Sequence, residues 1–238
     1  MVTQVLGTRP REVGRRFYLA QSIVMALIIV AGFSQTVPND LVPPGLPILL
    51  QAHGLVFAAW LVIIILQPAL ITGGNVRLHR KVGLLGAAIA AAMVVMGLAA
   101  TWFAIRYHRV PTFFPPTIFL VMNSLGILVF GSLVASAIAL RRRSDWHKRL
   151  MICATAAILG PGLGRFLPMD SFGAAAPLVL FAINDAVLLA GPVADLVVLR
   201  RVHPAYFWGA GAVLLMQPAI PLIAFSPLGH AMLQVVKG

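Results

Sequence analysis

From Phe17 onward the chain alternates long apolar runs with short stretches rich in arginine, proline or glycine. A helix that crosses a bilayer needs about 20 predominantly apolar residues. Seven runs meet or approach that length: Phe17 to Val37, Leu46 to Thr72, Val82 to Ile105, Pro116 to Leu140, Leu150 to Leu167, Ala174 to Leu199 and Tyr206 to Phe225. The fifth is the shortest. The pattern predicts an all-α polytopic membrane bundle of about seven transmembrane helices, forming one integral membrane domain over residues 1–238. The first run follows RPREVGRR and has the look of a signal segment, but it is long for one and has no A-x-A site, so it is expected to stay as an anchor.

The basic residues give these helices a direction. Every Lys and Arg except Arg106, Arg109, Arg165 and Lys237 falls on one side of the predicted layout. Positive loops are retained in the cytoplasm, which predicts an N-in, C-out arrangement. Three turns on that side end in a histidine: RLHRKVG at His79, DWHKRLM at His147 and RVHPAYF at His203. Their recurrence predicts three repeated helical hairpins after a leading first helix.

Composition agrees with this reading and narrows the chemistry. The chain is 60% hydrophobic and 10% charged, whereas soluble domains carry about a quarter charged residues. Its formal charge of +12 is gathered into the turns and forms no single stripe, so no nucleic-acid partner is expected. Cys153 is the sole cysteine, which rules out a disulfide within the chain and a CxxC metal site. No HExxH, GxSxG or P-loop is present, so hydrolytic and nucleotide-driven enzymes rank low and a non-enzymatic role ranks higher.

The stretches QAHGLVFAAW, with Gln67 downstream, VRLHRKVG and DWHKRLM resemble a group of uncharacterised bacterial inner-membrane proteins of similar length. The resemblance covers most of the chain after Ser34. It implies the fold and a bacterial inner-membrane setting, and it brings no reaction or functional residue with it. There is no distinctive match to the rhodopsins, and the last helix has no lysine for a retinal Schiff base.

Ionisable groups at membrane depth are costly and are functional candidates by default. With a rise of about 1.5 Å per residue, His53 lies inside the outer half of the second helix, Asn123 at a similar depth in the fourth, and Arg165 near the outer end of the fifth. Asn184 and Asp185 fall in the outer half of the sixth helix and Gln217 in that of the seventh. These six side chains are expected to line a pocket open to the periplasm, with Asp185 and Arg165 as its ion pair. The competing expectation is that they join helices by hydrogen bonds, with Arg165 reaching to the headgroups. His79, His147 and His203 are cofactor ligands if haem b is bound, although a position among cations at the interface also suits plain headgroup contacts. Glycines 160, 162 and 164, interleaved with Pro161, read as a packing or kink element. Asp195 is expected to pair with Arg200 or another basic neighbour.

Three functions compete. The first is a binding or accessory protein with a periplasm-facing pocket for a small ligand, lipid or quinone, or a subunit of a larger membrane complex. The second is a haem b electron carrier. The third is a small transporter driven by protons through Asp185 and His53.

Overall fold

The computed structural model describes residues 5–35, 46–111 and 114–238. Ten α-helices follow in order: α1 Val5–Ser34, α2 Ile48–Thr72, α3 Val76–Arg106, α4 Pro116–Ala139, α5 Ser144–Ala156, α6 Gly160–Phe166, α7 Met169–Phe172, α8 Ala176–Leu199, α9 Pro204–Ala224 and α10 Pro227–Lys237. A 3₁₀ turn at Gly173–Ala175 precedes α8. No strand occurs among the described residues, and the chain is an all-α helical bundle. Among them six helices are long and apolar enough to cross a membrane: the Gly14–Ser34 part of α1, then α2, α3, α4, α8 and α9. The predicted end of the first run at Val37 lies outside the described residues.

The fifth run is the exception. Instead of one helix from Leu150 to Leu167 the chain makes α5 and α6, joined by a tightened turn in which Ile158 and Leu159 donate to the carbonyls three residues back. Pro161 explains the break, since its ring has no N–H and clashes with the preceding turn. The two pieces still carry the chain from one end of the bundle to the other. At the start of α5, Arg149 meets Asp195 near the end of α8, while in α6 Gly162 packs on α1 near its far end. A Cβ on Gly162 would lie 2.9 Å from the Cα of Ile29, and one on Gly32 would collide with the Gly162 carbonyl. The glycines of this stretch are therefore a packing element: two backbones touch where side chains would hold them apart.

The short α5 is the centre of the bundle. Leu150, Ile152, Cys153, Ala154 and Ala156 are all buried, and α5 packs against α1, α4, α8 and α9. The long helices bury one stripe and present the rest outward, with Leu55, Val62, Leu84, Leu215 and Leu222 all more than 60% exposed. Lipid is the solvent that accepts such a surface.

Two boundaries move relative to expectation. Helix α3 starts at Val76 and not Val82, because Asn75 caps it, its side-chain oxygen accepting the Leu78 N–H at 3.1 Å. His79 therefore sits in a helical turn and not in a loop; His147 likewise lies inside α5. The tail beyond Phe225 forms α10, opened by Ser226 as N-cap and Pro227 in the first turn, a favourable start. Leu233 and Val236 bury against Ile105 and Leu120, and the Arg106 guanidinium donates to the Lys237 carbonyl. The C-terminus thus closes the end of the bundle opposite the basic turns.

Candidate functional site

The six polar residues expected to share a pocket take mostly separate hydrogen-bond partners. Asp185 accepts a hydrogen bond from the Gln217 amide at 2.6 Å, joining α8 to α9. Arg165 does not pair with Asp185. Its guanidinium donates to the Pro161 carbonyl at 2.9 Å and lies 4.3 Å from the Phe33 ring centre. Helix α6 is too short to carry Arg165 into the bundle, and an exposed cation beside an aromatic ring needs no carboxylate. Asn123 donates back to Phe119 of its own helix at 2.8 Å. His53 sets Nδ1 3.3 Å from the Met96 carbonyl and lies against Phe57, ring centres 4.1 Å apart. Asn184 is buried between helices, and its side-chain oxygen has no hydrogen-bond partner. Of the six, Asp185 and Gln217 are the two that hydrogen-bond to each other, a pairing that was not predicted. Asp185 and His53 bond separate partners.

The large cavity lies at the other end. A cleft of about 2070 Å³ opens among the basic turns, roomier than the roughly 300–1,000 Å³ of an ordinary small-molecule pocket. None of the six outer residues lines it. Its floor is buried and mostly apolar, formed by Trp60, Ile63 and Ile64 of α2, Gly86 of α3 and Val134 of α4, with Ser22 of α1. Its rim carries Arg15, Arg80, Arg141, Arg142, Lys148 and Arg201. The indole Nε1 of Trp60 is buried with no hydrogen-bond partner, an orphan donor at the cleft floor.

All three predicted cofactor histidines line this cleft, in two different settings. His203 caps α9. Its Nδ1 accepts the Ala205 N–H at 3.1 Å, and its ring stands edge-on to Trp146. Burial holds its pKa below the usual histidine value, and the Arg149 charge adds to this, so the capping form is neutral imidazole. His79 and His147 face each other from α3 and α5, ring centres 6.3 Å apart and planes at 90°. Nδ1 of His147 lies 2.8 Å from the Ala137 carbonyl, and Nδ1 of His79 lies 3.4 Å from the Gln67 carbonyl.

One wall of the cleft is held by a buried ion pair. Arg149, 2% exposed, donates from Nε and Nη2 to the two oxygens of Asp195 at 2.8 and 2.6 Å. Asp195 also accepts the His203 backbone N–H at 3.2 Å, and Arg149 donates to the Asp145 carbonyl. The guanidinium lies between the rings of Tyr18 and Tyr206, at 5.9 and 5.7 Å. One carboxylate thus ties α5, α8 and the start of α9 together. A bidentate fork with its remaining donor satisfied is the geometry that makes a buried pair tolerable. The partner of Asp195 is a basic residue, as expected, but it comes from α5 and not from neighbouring Arg200. Asp145 sits at the rim, where the Lys148 ion pair at 2.8 Å holds its carboxyl below the usual aspartate range.

Sequence reasoning counted Arg149 among the loop cations and gave Tyr18 and Tyr206 no role. The available signal was the i, i+4 spacing of Asp145 and Arg149 in DWHKRLM, which begins the helix early and carries the arginine into the apolar run. Among the described residues no three metal-ligating side chains gather at one point. Comparison with family models, with curated proteins and with solved structures finds no match to this chain.

Proposed function

We propose that this chain is a multi-pass protein of a bacterial cytoplasmic membrane that binds an anionic amphiphile in the cleft at its basic end. The carrying observation is the gradient along that cleft, from the buried floor of Trp60, Ile63, Ile64 and Val134 to a rim of six cations. An apolar body gains from burial on the floor, and an acidic head gains from the clustered arginines, which suit carboxylate and phosphate. The positive-inside rule turns the cleft to the cytoplasm, which moves the binding site from the periplasmic half to the opposite one.

The test is retention of lipid-like ligands by the detergent-purified protein, followed by native mass spectrometry. Dodecyl phosphate is expected to be retained at least tenfold better than dodecyl maltoside, and Arg80→Gln with Arg142→Gln is expected to abolish the preference. Equal retention of the two, or a preference unchanged in the double variant, overturns the reading.

A further inference from the structure

We infer that the ligand of the cleft is a haem b, held between His79 and His147 as its two axial ligands. The inference rests on the proposed ligand-binding cleft and names what fills it. Two imidazoles on opposite sides of one iron, with metal–nitrogen bonds of about 2 Å, bring their ring centres to about 6 Å. His79 and His147 stand at 6.3 Å. The perpendicular ring planes are no obstacle, because each ring plane has only to contain its own bond to iron.

The hydrogen bonding agrees. A ligating histidine usually donates its second ring N–H to a backbone carbonyl or carboxylate, which fixes the tautomer and raises the basicity of the bare nitrogen. Here Nδ1 of each ring meets a carbonyl, Ala137 for His147 and Gln67 for His79, and Nε2 is left for the metal. The Gln67 amide nitrogen, once its oxygen is turned to the Gly83 N–H, also reaches Nδ1 of His79. His79 therefore has two tautomers available, and ligation through Nε2 selects the one with its proton on Nδ1. His203 is excluded, since its Nδ1 accepts the Ala205 N–H and so its proton sits on Nε2.

The donor set selects a porphyrin over a bare ion. With no third His, Cys, Asp or Glu grouped with the pair among the described residues, a divalent cation would be left under-ligated. A porphyrin supplies four nitrogens in its own plane and needs only the two axial donors. The surroundings suit the rest of the molecule. Gly83 and Gly86 stand four and seven residues after His79 on α3 and line the cleft, where they let Gln67 and Ile63 of α2 pack close to the α3 backbone. Arg80 beside His79, and Arg142 and Lys148 near His147, supply cations for the two propionates. The sole cysteine, Cys153, is buried and no CxxCH is present, so attachment is non-covalent.

The test is titration of the full detergent-purified chain with haemin, followed by dithionite reduction. The expected result is one haem per chain, with a Soret band and sharp α and β bands. His79→Gly and His147→Gly are each expected to lose the sharp bands and regain them with added imidazole, while His53→Ala keeps them. No haem uptake by a protein that still retains dodecyl phosphate overturns the haem inference and leaves the cleft reading standing. Failure of both ligands overturns both. Bands that persist unchanged in His79→Gly or in His147→Gly place the haem elsewhere and also overturn the inference.

Discussion

The two ends of this bundle hold similar polar residues and use them in opposite ways. Away from the basic turns, most of the polar groups find a local partner: Asn123 and Arg165 bond their own helices, and Asp185 bonds one glutamine. At the basic end a single carboxylate, Asp195, organises α5, α8 and α9 beside an open cleft. In a membrane a polar group satisfied pairwise closes an interface, whereas a network whose members come from several helices can hold them apart around a cavity. Polarity at membrane depth is a poor guide to a site unless the partners are known.

The contrast is broken most severely at Asp195. Asp195→Asn keeps the shape but leaves Arg149 buried without a counter-charge, and a loss of about 3–5 kcal/mol is expected, read as a fall in thermal stability in detergent. Asp195→Asn combined with Arg149→Met should cost less than the sum of the two, because removing both charges removes the desolvation problem. At the other end Gly162→Val forces apart two touching backbones, and a loss of about 1–3 kcal/mol is expected, by the same measurement. Asp185→Asn should cost only about 0.6–1.7 kcal/mol, the range of an interhelical hydrogen bond in lipid. Because Arg165 is not its partner, the loss should be additive with that of Arg165→Gln; a double variant that loses markedly less than the sum would restore the ion pair that the fold lacks.

The basic end is also sensitive to pH through His203. The folded-state pKa of His203 is held below the ordinary value of 6.5, so the unfolded chain takes up a proton first. The contribution of His203 is then complete above about pH 6.5 and is lost as pH falls from there through the depressed folded value. Unfolding followed between pH 7.5 and pH 5 should show a decline of a few tenths of a kcal/mol that His203→Ala removes. Asn123→Leu should have the smallest effect, within about 0.5 kcal/mol, since that amide serves only its own helix.

Most of the architecture was legible because bilayer thickness demands long apolar runs, and those of α2, α4, α8 and α9 stand within a few residues of their observed limits. The broken fifth crossing was half legible: Pro161 and its glycines marked it, but that it packs on Gly32 of α1 is a long-range fact that no local pattern carries. Helix α10 was missed because a search tuned to bilayer-length runs passes over eleven residues. For the site, depth along a helix was readable and direction around it was not. Arg165 and Asp185 fall toward the same end of the bundle yet turn to different neighbours. His79, His147 and His203 were correctly grouped at one end, but the cleft between them depends on how α2, α3 and α5 pack.

The seven residues of α6 rise about 10 Å, a third of the roughly 30 Å of hydrocarbon they help to cross. Such a segment has no reason to enter lipid by itself. Its landing place is the flank of α1 at Gly32, which is made before α6, with three more long helices emerging between the two. Helix α1 must therefore stay laterally accessible until α6 emerges, and the order in which these helices leave the insertion machinery decides whether the broken crossing forms at all.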